Sequence, residues 1–183
     1  MKLNMKLSER QKNILTLFVF LAVSLLIGLA FQFLGQKFWQ KNPEEKVEIK
    51  KVGYQHKDAT MGKVIEQDKT LKILEGYYSQ NDAKRGDLVV IKLEGRADFV
   101  RKIAAVSGDK ISFEDAYLKV NGEIIKNSSG ESYLVADTKR ESLKGKVPKD
   151  SFFVLSDETT PAAFDSREFG FIKKENLKGK IIP

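Results

Sequence analysis

"FVRKIAAVSGD", residues 99–109, decides the architecture. Read as a strand, it sends Phe99, Arg101, Ile103 and Ala105 to one face and Val100, Lys102, Ala104 and Val106 to the other. Both sets are otherwise apolar, so the strand is expected to be buried on both sides before it turns at Ser107-Gly108-Asp109. Each face nevertheless receives one cation. An isolated buried cation is costly, so Arg101 and Lys102 each require a partner or a chemical task.

Strand signals continue on both sides of this segment. "DLVVIKL" (87–93) is a short β-rich run after the turn "KRG", and "SFFVLSD" (151–157) is another buried strand introduced by "VPK". "YLKVNGEIIK" (117–126) places Asn121-Gly122 between alternating segments, a strong hairpin signal. A strand is also expected to begin near Val47. Residues 127–146, "NSSGESYLVADTKRESLKGK", are polar and read as a surface excursion. After residue 50 no long helical period appears, apart from a turn near Lys173–Leu177. The class is mainly β.

The N-terminal part differs. Ile14 to Phe33 carries no charge and is long enough to cross a hydrocarbon core of about 30 Å. Lys2, Lys6, Arg10 and Lys12 precede it against Glu9 alone, which favours a cytoplasmic N-terminus and an extracytoplasmic remainder. Phe38 and Trp39 suit an outer interface. Gly28-Leu29-Ala30 offers small residues for cleavage of a signal peptide, but the apolar run exceeds the 7–15 residues usual for one. The expected division is residues 1–13 cytoplasmic, 14–34 transmembrane, 35–50 juxtamembrane linker and 51–183 an extracytoplasmic β domain, on the cell membrane.

Composition excludes several chemistries. There is no cysteine, hence no disulfide, thiolate or Cys-ligated metal, and the single histidine, His56, rules out His-pair metal sites. His56 reads as a surface or packed residue. Of the formal charge of +7, only a mild excess of 28 Lys+Arg over 24 Asp+Glu lies beyond residue 34. The basic residues are scattered, which fits a membrane surface better than a nucleic-acid groove, and no nucleic-acid partner is expected.

Four stretches then line up in order: "DATMGKVI" (58–65), "KRGDLVVIK" (84–92), "VRKIAAVSGDKI" (100–111) with the "LKVNGEII" hairpin, and "VPKDSFFVLSDETTPAAFDSREFGFIKKENLKGKI" (147–181). With the N-terminal helix, this order resembles the type I signal peptidase family over nearly the whole chain. The last block carries most of the likeness, its "FVLSD … DSREFG" being similar to the family's Gly-Asp-Asn … Asp-Ser-Arg box. The resemblance implies a signal-peptidase-like β domain on a single N-terminal transmembrane helix. It also implies a Ser–Lys dyad that hydrolyses the signal peptides of exported precursors, without metal or cofactor.

Carried over position by position, the family's methionine matches Met61, so the nucleophile position is Thr60. The proline of the pattern is replaced by Lys63, and the glycine two before the serine by Asp58. The family's lysine lies eight residues before the Asp of its Gly-Asp turn. That Asp matches Asp109, which puts Arg101 at the base position, with Lys102 where the family has an arginine. Asp157 and Asp165-Ser166-Arg167 match the last box, with Ser156 and Glu158 flanking its first Asp and Ala163 where many members have a serine. Asp58, Ala59 and Met61 are candidates for a peptide groove along Val52–Ala59.

A serine needs a base to become nucleophilic, and a lysine serves once burial lowers its pKa. Threonine keeps a hydroxyl, but an arginine stays protonated and cannot take a proton near neutrality. Lys102 points the other way unless a bulge intervenes, and the spacing gives no sign of one. Four residues before Thr60 on an extended strand, His56 would lie roughly 13 Å away. The substituted dyad resembles in kind the signal-peptidase-like proteins of Gram-positive pilus gene clusters. The expectation is therefore a non-hydrolytic protein that assists an exported or pilin-like protein beside a sortase. The alternative is an active peptidase with altered dyad residues. A membrane-anchored lipid- or nucleic-acid-binding β domain would explain the charge but not the ordered motifs. Arg101 is expected to pair with Asp58, on the strand face of Thr60, or with Asp157. Asp157, Asp165 and Arg167 are expected to act as an ion pair and turn holding the last box to the sheet.

Overall fold

The computed structural model describes residues 8–40 and 47–182, without the side chains of 34–40. The chain forms two compact units that divide between Lys46 and Val47.

The first unit is helix α1 (Glu9–Gln40). Ser8 and Gln11 start it reciprocally: the Ser8 amide donates to Gln11 Oε1 at 2.9 Å and the Gln11 amide to Ser8 Oγ at 3.4 Å, a capping box. Within Glu9–Phe33 its most apolar 18-residue stretch has a mean hydropathy of 2.8 and is not buried in the structure. At 1.5 Å per residue it is long enough to cross a bilayer, and it fits a membrane anchor. The helix runs on to Gln40, so residues 35–40, expected as linker, are helical. The side chains of Phe38 and Trp39, and residues Lys2 and Lys6, lie outside the described residues.

The second unit is mainly β. Its strands are β1 (Lys50–Gln55), β2 (Thr70–Glu75), β3 (Leu88–Ile91), β4 (Phe99–Ala105), β5 (Lys110–Glu114), β6 (Tyr117–Val120), β7 (Glu123–Ile124), β8 (Gly145–Lys146), β9 (Ser151–Leu155), β10 (Ile172–Lys173) and β11 (Leu177–Ile182). A seven-stranded sheet runs β1-β2-β11-β3-β4-β9-β10 and a four-stranded one β7-β6-β5-β8, with every pairing antiparallel. Short helices α2 (Tyr77–Gln80), α3 (Asp137–Leu143) and α4 (Ser166–Phe169) join them.

Strand β4 lies between β3 and β9 and is buried on both faces, with Lys102 alone half-buried. Val100 packs with Met61, Ile65, Ile73 and Val90, whereas Phe99 and Ile103 join Val89, Ile91, Phe152 and Val154. The expected alternation holds as far as Ile103. The register against β9 then shifts between Ile103 and Ala105, and Ala105 joins Ala104 in the cluster under the small sheet. This bulge lies beyond Arg101 and Lys102, so those two still face opposite ways.

The hairpin at Asn121-Gly122 forms with both residues at positive φ, 53° and 89°, the signature of a type I′ turn, and Val120 pairs with Glu123. The reading of 127–146 as a surface excursion is corrected. Tyr133, Val135 and Leu143 are buried and close the core of the small sheet, with Leu134 bridged to Tyr117 and Ser132 to Lys126.

Where β11 crosses β2, Gly179 is required by space rather than by its dihedrals. A Cβ there would stand 2.7 Å from the Leu74 carbonyl oxygen. Gly179→Ala is expected to push two ladder strands apart and to cost about 1–3 kcal/mol. Denaturant unfolding of the full chain in detergent measures it.

Candidate functional site

Strand β1 gives way to a turn at His56, whose amide donates to the Lys69 carbonyl and whose carbonyl accepts from the Asp68 amide. Asp58, in an extended conformation, then caps a 3₁₀ turn, Ala59–Met61, by accepting the Thr60 amide on Oδ1 at 2.8 Å. Thr60 is therefore on a helical turn rather than an extended strand. Asp58 meets it through the backbone, not by sharing a strand face. Met61 is buried among Ile65, Ile73, Val90 and Val100 and fixes the turn to the large sheet. From the other side the Asp157 amide donates to the Thr60 carbonyl at 2.9 Å.

Arg101 is 1% exposed. Its Nη1 donates to Asp58 Oδ2 at 2.5 Å, and its Nε and Nη2 donate to the Phe164 carbonyl at 2.9 and 2.5 Å. Nη1 also reaches the Val100 carbonyl at 2.5 Å, and the guanidinium carbon lies 4.9 Å from the centre of the Phe99 ring. One guanidinium thus joins β4, the Asp58 cap and the segment before α4. Of the two expected partners, Asp58 is the one found. Burial works to raise the Asp58 pKa, but hydrogen bonds from Arg101 and from Thr60 outweigh it and hold the carboxyl below its ordinary 3.8.

The Thr60 hydroxyl oxygen is buried and, among the described residues, makes no hydrogen bond. His56 is fully buried, as a packed residue, and neither ring nitrogen has a hydrogen-bond partner among the described residues. The strand-spacing estimate of its distance from Thr60 lapses, because a turn separates them. Burial pushes its pKa down, with Asp58 opposing and Arg101 adding to the fall.

The last box behaves as two separate clamps. Asp165 and Arg167 are both buried, with Arg167 Nη2 on Asp165 Oδ2 at 2.7 Å and Nε on Oδ1 at 3.0 Å. The remaining Asp165 capacity takes the Ser156 amide and hydroxyl, and Arg167 reaches the carbonyls of Glu158, Thr159 and Thr160. Ser166 Oγ accepts the Val154 amide inside β9. Asp157 stands outside this pair and accepts the amide and hydroxyl of Ser128 at 2.9 and 2.6 Å. It ties the Thr60 turn to the 127–131 loop.

Two clefts meet at Thr60. One, of about 420 Å³, is lined by Lys57, Asp58, Arg96, Phe99, Arg101 and Phe164 among others; the other, of about 590 Å³, by Ala59, Lys63, Asn127, Glu131, Asp157 and Glu158 among others. Strand β1 is terminal in its sheet. Because His56 bonds inward to the β2 side, the amides and carbonyls of Lys51, Gly53 and Gln55 point to the open edge, which ends at the Thr60 turn.

The signal peptidase, peptidase S26 family matches residues 11–182. The chain belongs to that family. It is 28% identical over 132 residues to a signal peptidase I of Bacillus caldolyticus, covering 67% of this chain and 72% of that one. It is 26% identical over 140 residues to signal peptidase I V of Bacillus subtilis strain 168, covering 71% and 83%. A crystal structure of a signal peptidase I from Enterococcus faecalis V583 superposes with a TM-score of 0.44 at 22% identity, covering 56% of this chain and 98% of that one.

Within the family frame, the structure gathers Asp58, Ala59, Thr60, Met61, Arg101 and Asp157 around one turn, while Asp165, Ser166 and Arg167 brace the segment behind it. Sequence reasoning missed the Phe164 carbonyl and the Ser128 clamp. A backbone acceptor leaves no mark in a sequence, whereas "NSSG" at 127–130 is a turn signal that marked a loop of unknown contact.

The sign of the Asp58 effect is set by its lowered pKa. Its stabilisation is complete above the ordinary carboxylate value and is lost as pH falls through the lower folded value. Asp58→Ala is expected to cost roughly 2 kcal/mol at pH 7. The gap to the parent protein should close as the pH is taken below about 4. Denaturant titrations at stepped pH measure both.

Proposed function

We propose that this membrane-anchored signal peptidase family member does not hydrolyse peptide bonds. It holds extended segments of exported or pilin-like proteins along the open edge of β1 during their assembly, beside a sortase. Its β domain lies on the extracytoplasmic side and its N-terminus in the cytoplasm.

The observation that carries this reading is the bonding of Arg101. The family's chemistry needs a base beside the hydroxyl, and an arginine keeps its proton at any working pH. Here its N–H groups are also engaged, Nη1 by Asp58 and Nε and Nη2 by the Phe164 carbonyl. An extended peptide added at a strand edge gains main-chain hydrogen bonds without any chemistry.

One observation favours the second reading, an active peptidase: Asp58 Oδ1 accepts the Thr60 amide at 2.8 Å, which sets a carboxylate beside the residue that carries the hydroxyl. A carboxylate whose pKa is held below its ordinary value is a weak base, and Arg101 occupies its other oxygen, so this route is poor.

The full chain in detergent is expected to leave an exported precursor with small residues at −3 and −1 intact, whereas Thr60→Ser/Arg101→Lys gains cleavage. Cleavage by the parent protein that disappears in Thr60→Ala contradicts the proposal. In cells, Thr60→Ala is expected to support pilus assembly at normal levels.

A further inference from the structure

The cleft of about 420 Å³ beside Thr60 has an aromatic wall and an unbalanced charge. Phe99 and Phe164 stand edge to face with ring centres 5.4 Å apart, and Ala97 leaves room beside them. Five charged residues line it: Lys57, Asp58, Arg96, Asp98 and Arg101.

Both carboxylates are already engaged. Asp58 holds Arg101, and Asp98 holds Lys178 Nζ at 2.8 Å. Subtracting these pairs leaves Lys57 and Arg96. Both are exposed, and among the described residues neither has a carboxylate within ion-pair reach. The Arg96 guanidinium is fixed over the Phe164 ring, 4.2 Å from its centre. Such stacking leaves the in-plane N–H groups free to grip a planar anion and reduces the ordering cost of doing so. The cleft on the other side of Thr60 has the reverse balance, with Glu131, Asp157 and Glu158 against Lys63.

We propose that the cleft formed by Lys57, Arg96, Phe99 and Phe164 receives a carboxylate of the bound peptide. The peptide is thus acidic where it passes Thr60, or ends there. This inference rests on the peptide-holding role above and names what that role selects. Arg96 is the specificity-determining residue, forking onto the carboxylate, and Lys57 adds a second charge at the rim.

The test uses the full chain in nanodiscs and fluorescent, amidated Val/Thr/Ser peptides carrying one central Ala, Asp or Lys. A fourth peptide has no acidic side chain but a free C-terminal carboxylate. By anisotropy, one of the two carboxylate peptides is expected to bind about tenfold tighter than the Ala peptide, the scale of one hydrogen-bonded charge pair. The Lys peptide should bind more weakly than Ala, and the gap should narrow at high salt. Which carboxylate wins tells a side chain from a chain end. Arg96→Glu is expected to reverse the Asp-over-Lys order, and Lys57→Gln to reduce it. Equal binding of the Ala, Asp, Lys and free-carboxylate peptides overturns the inference and leaves the peptide-holding role standing. So does an Asp preference that survives Arg96→Glu. If no peptide binds, the peptide-holding role falls, and this inference with it.

Discussion

The site is organised by the need to satisfy one buried cation. Arg101 sits in the middle of a sheet, on a strand with apolar neighbours, where an unpaired charge could not be kept. Its guanidinium is satisfied by one carboxylate and by backbone carbonyls. Those partners come from chain segments far apart in sequence, and meeting the requirement determines where they lie. Asp58 has to point inward, which makes it the cap of the 59–61 turn and so sets Thr60 in place. Phe164 has to offer its carbonyl, which places the segment leading into α4 against β4.

This arrangement also gives the functional reading its force. A lysine in that position could lose its proton to become a base, because burial disfavours its charge. An arginine under the same burial keeps its charge and recruits a carboxylate. With arginine rather than lysine here, the group is a fixed structural tie and not one that could exchange protons. The freed hydroxyl of Thr60 is left without a hydrogen-bond partner among the described residues. The remaining features of the region are a strand edge unpaired among the described residues and two clefts that meet at Thr60.

Much of this was legible in the sequence, for identifiable reasons. The two-faced burial of 99–103 follows from alternation, and the Asn121-Gly122 turn from its demand for positive φ. The Arg101–Asp58 pair followed from asking what a buried guanidinium must find. Other features left weaker marks. The bulge after Ile103 changes no residue type, so the alternation read past it placed Ala105 with Ile103. Tyr133, Val135 and Leu143 are spaced widely in a polar stretch, so composition hid a segment that completes a core. The 3₁₀ turn at Thr60 was misread as strand, although an Asp two residues before it is an ordinary turn cap. Asp157 was grouped with Arg167 by motif and instead bonds Ser128, a contact set by tertiary geometry.

The central claim is that the Arg101 guanidinium is permanently charged and locked to Asp58. It is tested most directly by nitrogen-detected NMR of the arginine side chains in the full chain, assigned with Arg101→Lys. Arg101 is expected to show separate, slowly exchanging Nε and Nη protons with hindered rotation at neutral pH. In Asp58→Ala its Nη signals should average and exchange quickly. Averaged, fast-exchanging Arg101 signals in the parent protein would contradict it.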